Sequence, residues 1–488
     1  MSVESTEESL QSCNNNSTCE SENSTHSKVL GKYINKGDLL LTSVPFAYVL
    51  KGNLRGQHCD SCLRKRPGLQ RCSGCASCYY CNRECQKNSW EIHKKECSKL
   101  KKLKNNLPPD TARLIARVIL KLKDGGGEIE EKIDNSWSRK FEDLMNHSSE
   151  VKEDISRQEH FHFIYLGEEN LPSSSELFEI YGKVLVNSFS ITDKDLNSVG
   201  IGIYLAASII DHSCKPNAYA SFIGTQVYIR ALYDMPELDW KKIRISYIDV
   251  LNTAKKRNEE LERGYFFACS CVHCQNIERE KVMSSIVCGN PNCLSPIYID
   301  NDEESVEEPV NKCSSCGFSD FEMSTKEKYF EILNVTKRKL EMKKDFETLK
   351  ELVEKQSGLF HNLNLWHVKT LDATFESAIN SGSWEVALTY GCRNLIGIKY
   401  YYGSNHPMYG LYLLKLGKIE LYLFKFREAL EHLEEAEPIL RVSHGLEHLL
   451  YADDLAPLVK QARQEIKMMQ HSGFKVKKIQ KNEIKGII

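Results

Sequence analysis

Fourteen of the chain's nineteen cysteines, with one histidine, fall into three clusters spaced for metal coordination, and this constrains the fold more than any other feature. The densest cluster runs Cys59-x-x-Cys62, Cys72-x-x-Cys75, Cys81-x-x-x-Cys85 and His93-x-x-x-Cys97. It places eight donors within thirty-nine residues, the number that two closed tetrahedral sites require. So short a segment cannot bury enough apolar surface to fold alone, so metal binding must supply much of its folding free energy. The expected pairing is interleaved, with Cys59, Cys62, Cys81 and Cys85 on one ion and Cys72, Cys75, His93 and Cys97 on the other. His93 and Cys97 share one face of an amphipathic run from Gln86 to Leu103. Cys78 is left over and reads as a small buried hydrophobe.

Two further clusters follow. Cys269-x-Cys271-x-x-Cys274 offers three donors, and the expected fourth is Cys214, fifty-five residues before Cys269. An ion shared by such distant segments would pin the chain after Phe267 against His212 and close a pocket between them. Cys288-x4-Cys293 and Cys313-x-x-Cys316 read as the two knuckles of a small zinc ribbon, bringing the expected zinc content to about four ions. The loop between the knuckles carries Asp302, Glu303, Glu304, Glu307 and Glu308 and reads as solvated.

A chain of 488 residues exceeds what one hydrophobic core serves, so roughly two to four domains are expected. No apolar run is long enough to span a membrane, and the Ser/Asn/Glu-rich start over 1–27 reads as a disordered tail with no secretory leader. An intracellular, reducing setting then favours metal sites over disulfides. The net charge is only −2, so any nucleic-acid attraction must be local. Between Cys59 and Lys104 there are twelve Lys or Arg against four Asp or Glu. That excess reads either as a solvated basic face or as a weak nucleic-acid contact.

From about Thr325 apolar residues recur at helical spacing, and Phe346-x-x-Leu349, Trp384-x-x-Ala387-Leu388 and Phe426-x-x-Ala429-Leu430 form a weak repeat. Its spacings of 38 and 42 residues suit stacked helix pairs punctuated by Gly382, Gly403 and Gly445. Upstream, helices are expected over 111–122, 140–145, 156–165 and 174–187, broken by Gly125-Gly126-Gly127. Ala218–Phe222 and Val227–Arg230 read as a hairpin about Gly224.

The eight-donor segment, with Tyr80, Gln86 and Trp90 between its ligands, resembles the MYND zinc finger, a protein-interaction module that often takes proline-rich peptides. Asp211-His212-Ser213-Cys214-Lys215-Pro216-Asn217 resembles the Asn-His-Ser-Cys-x-Pro-Asn string of SET methyltransferases. Ile245-Ser246-Tyr247 resembles their tyrosine motif, and Cys269 to Cys274 their post-SET zinc site. A SET region split by a MYND finger and followed by helical repeats is the arrangement of the SMYD family, and the resemblance covers roughly Asn35 to Ile466.

The resemblance implies an α+β multidomain fold and an S-adenosyl-L-methionine-dependent protein-lysine N-methyltransferase acting on histone or non-histone lysines, cytoplasmic and nuclear. It implies Tyr247 as the catalytic residue that orients the amine. Asp211, His212, Tyr247 and Phe267 would contact the cofactor, and His212 would act structurally and not as a general base. Partners would be a protein substrate with a target lysine and a proline-rich peptide at the finger, with no membrane. Transfer by in-line displacement needs alignment and exclusion of water more than it needs an acid or base. Three positions depart from the family pattern. Asp211 stands where the family has Asn, Thr25-His26-Ser27-Lys28 where it has a Gly-x-Gly-Leu loop, and Leu238-Asp239-Trp240-Lys241-Lys242 where it has Gly-Glu. The alternative reading is a catalytically silent adaptor that keeps the zinc-stapled scaffold.

The expected organisation is a tail over 1–27, the SET N-terminal part over 28–58, the finger over 59–97 and a helical insert over 98–190. The SET core follows over 191–250, the post-SET segment over 251–277, the ribbon over 278–324, helical repeats over 325–470 and a basic tail over 471–488.

Overall fold

In the computed structural model, residues 33–103, 106–153, 171–300, 310, 312–342 and 345–471 are described. The expected tail over 1–27, the Thr25–Lys28 segment, the helix over 156–165 and the acidic loop lie outside them, as does all of the expected tail over 471–488 except its first residue.

Strand Leu39–Ser43 pairs antiparallel with Gln226–Ala231, which pairs with Ala218–Ile223 in the expected hairpin about Gly224. Strand Ala47–Leu50 pairs with Ser198–Ile203, which pairs with Ser188–Thr192. Partners that far apart in sequence mean that the described residues between 51 and 187 are inserted into one β-region. Leu41, Ile191, Val199, Phe222, Val227 and Ile229 on these strands, with Tyr204 just after one of them, form its core. A short parallel bridge joins Arg244–Ile245 to Asp211–His212.

The insertion is held by two helices. Asp110–Lys123 buries Leu114, Ile115, Val118 and Ile119 against Phe46, Val49 and Ile203. Ser174–Asn187 begins with a capping box in which Glu176 N–H donates to Ser173 Oγ and Ser173 N–H to Glu176 Oε2. A side chain at Gly182 would meet the Asn146 carbonyl, so only glycine permits this approach. The helix expected over 140–145 is instead a single 3-10 turn, Phe141–Asp143, because Ser138–Arg139 is drawn into a two-stranded ribbon with Glu131–Lys132. Strand structure already begins at Ser188, inside the span expected to be helical insert.

The finger docks through buried charge. Glu96, on the helix Arg83–Leu103, is fully buried; it accepts from Arg113 Nη2 at 2.8 Å and from Arg117 Nη2 at 2.6 Å. Arg113 also donates to Asp60 Oδ1 at 3.1 Å and to Cys78 Sγ at 3.2 Å, and Arg117 to the Tyr48 carbonyl at 2.6 Å. Burial alone would push the Glu96 carboxyl up, but Arg113 and Arg117 hold it well below the usual range. Cys78 is therefore more than an apolar filler: it belongs to the network that ties finger to insert helix to sheet.

The C-terminal third is helical, and helices start at Phe346, Trp384 and Phe426, the three positions of the weak repeat. Ala387 and Ala429 are fully buried where paired helices approach, and Gly382, Gly403 and Gly445 end helices with positive φ. The strand pair Ser285–Val287 and Pro296–Tyr298 packs on Tyr329, Phe330 and Phe360 at the entrance to this array. The array returns to the β-region at its far end. Arg230 pairs with Glu447, and His448 Nε2 donates to the Phe222 carbonyl at 3.0 Å.

Removing Glu96 from the buried network takes away the carboxylate that Arg117 pairs with and leaves Arg113 with Asp60 alone, so Glu96→Ala should destabilise the protein by about 3–5 kcal/mol. The urea unfolding midpoint measures this, and an unchanged midpoint would show that the network contributes nothing net.

Candidate functional site

Four groups of donors converge as the spacing predicts. Cys59, Cys62, Cys81 and Cys85 form one, and Cys72, Cys75, His93 and Cys97 a second. Cys214 with Cys269, Cys271 and Cys274 forms a third, and Cys288, Cys293, Cys313 and Cys316 a fourth. Within each, all donor atoms lie within 4.8 Å of one another. A zinc tetrahedron with bonds of about 2.3 Å has sulfur–sulfur edges of about 3.8 Å. The observed separations are close to that: Cys62–Cys81 3.6 Å, Cys72–Cys97 3.9 Å, Cys214–Cys274 3.6 Å, Cys288–Cys316 3.5 Å and Cys293–Cys313 3.9 Å. His93 Nε2 is 3.4 Å from Cys72 Sγ and 3.7 Å from Cys75 Sγ. All four donor sets thus fit a zinc ion.

The third group shapes the chemistry around it. His212 is buried, and its Nδ1 accepts the Tyr247 backbone N–H at 3.0 Å, which puts the ring proton on Nε2, 3.3 Å from Cys214 Sγ. Burial, with a smaller effect from Arg257, lowers the His212 pKa to about 4 against the opposing charge of Cys271, so the ring is neutral at physiological pH. One imidazole thereby links the Tyr247 backbone to a metal-site sulfur. On the other side, Cys269 N–H donates to Asn258 Oδ1 at 2.7 Å and the His273 ring bonds the Cys214 carbonyl at 3.1 Å, fixing the return of the chain.

That return carries an aromatic run. Helix Ala254–Tyr265 ends at Phe266, whose φ of 61° is left-handed, unusual for a residue with a bulky side chain. The reversal sets Tyr265 and Phe267 around Tyr247, with ring centroids 4.9 Å and 6.5 Å away, and Phe267 lies 6.0 Å from His212. The Tyr247 hydroxyl donates to the Ile210 carbonyl at 2.5 Å, and burial raises its pKa far above the usual phenol value, so it stays protonated.

Tyr247 is a wall shared by two cavities. One, of about 430 Å³, is lined by Asp211, His212, Arg244 and Phe267, so the four residues expected to contact a cofactor meet there. The other, of about 350 Å³, is lined by Phe189, Ser208, Tyr219, Phe222 and Tyr265. A larger cleft of about 1120 Å³ begins at Asp249 and runs between helices Ala254–Tyr265 and Leu365–Asn380. Asp211 is largely exposed, its carboxylate 3.6 Å from Arg244 Nη2. Among the described residues, Tyr265, Phe189 and Arg244 are parts of the site that sequence reasoning missed. Only Tyr265 left a trace, as an aromatic two positions before Phe267.

The MYND finger family matches residues 59–97. The chain is 32% identical over 426 residues to the human protein named Histone-lysine N-methyltransferase SMYD3, an alignment covering 86% of this chain and 90% of that protein. It is 28% identical over 445 residues to the zebrafish N-lysine methyltransferase SMYD2-A, covering 87% and 93% of the two. Against human N-lysine methyltransferase SMYD2 it is 28% identical over 442 residues, covering 88% and 93%. With its finger inserted in a β-region, its convergent cysteine groups, its C-terminal helical array and this likeness over most of its length, the chain belongs to the SMYD family.

Proposed function

We propose that the protein is an S-adenosylmethionine-dependent protein-lysine N-methyltransferase built on a SET fold, with zinc in all four donor sets. The observation that carries the reading is the position of Tyr247 between a cavity lined by charged side chains and an aromatic one. The two cavities suit a cofactor and a lysine side chain respectively. The relatives' names add support, since each is called a lysine methyltransferase.

Bound in the cavity of Asp211, His212 and Phe267, S-adenosylmethionine would supply an electrophilic sulfonium methyl group. The chain's own residues then do three things. Phe189, Phe222, Tyr247 and Tyr265 exclude water and disfavour the ammonium form of an entering lysine, since burial penalises charge. Tyr247 orients the amine: its hydroxyl is a fixed, protonated donor–acceptor held by Ile210 O. His212 serves as a structural brace, because both ring nitrogens are already engaged, one with Tyr247 N–H and the other beside Cys214 Sγ. The 1120 Å³ cleft that starts at Asp249 is the route for the substrate chain. At the finger, Trp90 is nearly half exposed and sits 5.9 Å from the His93 ring, a surface suited to a proline-rich peptide.

Metal analysis of the purified protein should find four zinc ions, with one lost in Cys313→Ser and the rest retained. A content of three would remove either the Cys214 group or the Cys288–Cys316 group from the account, and a content of two would remove both. Calorimetry should detect S-adenosylmethionine binding, and tritiated methyl transfer to lysine peptides should fall by about 10²-fold or more in Tyr247→Phe. An absence of binding tighter than about millimolar would leave the zinc-stapled adaptor as the better reading.

A further inference from the structure

Two lysines converge on one ring in the large cleft. Lys337, on the helix Thr325–Glu341, holds its ammonium 5.7 Å from the centre of the Trp366 ring. Lys369, on the helix Leu365–Asn380, holds its own 5.4 Å from the same centre and donates to Asn252 Oδ1 at 2.5 Å. All three side chains line the cleft. Each ammonium is attracted to the ring, but the two repel one another and make this part of the wall positive. Lys337 makes no ion pair among the described residues that would offset this. An anion held against both groups would relieve the repulsion and accept a charge-assisted hydrogen bond from each.

The rest of the wall leaves that role to the Trp366 end. Four lysines and five carboxylates line the cleft, so their arrangement decides and not their sum. Lys256 pairs with Glu259 at 3.2 Å, and Glu376 with Lys415 at 2.6 Å. Asp249 accepts the Tyr402 hydroxyl at 2.8 Å, and Asp249 and Asp372 both lie close enough to Tyr402 for their charges to act on its phenol. Lys255 is exposed, and so is Glu341, one turn beyond Lys337 at the helix end. Acids thus gather at Tyr402 and two lysines at Trp366. The distance suits a residue of the substrate chain. Asn252, which holds Lys369, is five residues from Tyr247, so at most roughly 18 Å separates their backbones, which an extended chain covers in about six residues.

Resting on the reading of this cleft as the substrate's route, we propose that Lys337 and Lys369, set over Trp366, recognise an anionic side chain, carboxylate or phosphate, within about six residues of the target lysine. Basic residues flanking that lysine then face Asp249 and Asp372.

The test uses the zinc-loaded full chain and peptides with a single lysine. At each position up to about six residues to either side, serine, glutamate, phosphoserine or arginine is placed in turn. Calorimetry follows binding, and tritiated methyl incorporation follows transfer. At one position or two neighbouring ones, phosphoserine should lower KM by about 10-fold and glutamate by about 3-fold relative to serine, with kcat little changed, and added salt should erode both gains. The double variant Lys337→Gln with Lys369→Gln should abolish them, and Lys337→Glu should shift the preference at that position toward arginine. Zinc content and far-ultraviolet circular dichroism establish that each variant is folded. A gain from phosphoserine alone or glutamate alone would uphold the proposal and name the anion. The absence of any position-dependent gain in the native protein would overturn it and leave methyl transfer standing. So would gains that survive in the double variant. A positional gain in binding without transfer to any peptide would overturn the methyltransferase reading and uphold the anion site.

Discussion

The join between Cys214 and the Cys269–Cys274 segment is the constraint on which the rest of the site depends. It brings together sulfurs from segments separated by fifty-five residues of sequence. Cys214 lies two residues from His212, whose ring holds the Tyr247 backbone, and Cys269 lies two residues after Phe267. An ion held by these four sulfurs would therefore set the distance between Tyr247 and the aromatics that face it. Without that closure, Phe267 would be held within 6.5 Å of Tyr247 by ring packing and by single hydrogen bonds such as Cys269 N–H to Asn258 Oδ1 and His273 to the Cys214 carbonyl. A metal bond is far less forgiving of displacement than ring packing, which suits a reaction governed by alignment.

Scaffold stability rests on a different device at each junction. The finger, too small for its own apolar core, is joined by its buried carboxylate to two arginines of the insert helix. The Cys288–Cys316 group staples a strand pair onto Phe330 and Phe360 where the helical array begins. At its other end the array meets the hairpin through Arg230–Glu447 and His448. The large cleft at Asp249 is lined by the helices Ala254–Tyr265, Thr325–Glu341 and Leu365–Asn380, so its width depends on how the array is fixed to the rest of the chain.

Features encoded by local spacing were legible in the sequence. The eight finger donors, the ribbon knuckles and the helix starts at Phe346, Trp384 and Phe426 depend on neighbours a few residues away, and periodicity reports them directly. Features made by long-range convergence were not. Glu96 gives no sign in sequence of its partners Arg113 and Arg117, and Cys78 reads as apolar because Arg113 lies thirty-five residues away on the helix Asp110–Lys123. Tyr265 ends an ordinary helix and enters the site only because Phe266 reverses the backbone. Arg244 reaches Asp211 only through the parallel register of Arg244–Ile245 against Asp211–His212, which no local spacing announces. The residues 140–145 illustrate a competing demand, since pairing of Ser138–Arg139 with Glu131–Lys132 leaves room for one 3-10 turn where helix propensity pointed to more.

The most direct test of the central claim is to break the Cys214 closure and nothing else. In Cys271→Ser, zinc content and S-adenosylmethionine affinity are measured on the same folded preparation. The account predicts the loss of one zinc ion, retention of the finger and the helical array, and a fall in affinity of at least about 100-fold, because Phe267 and the chain after it lose their anchor. Cofactor affinity that survives the loss of that zinc unchanged would contradict it.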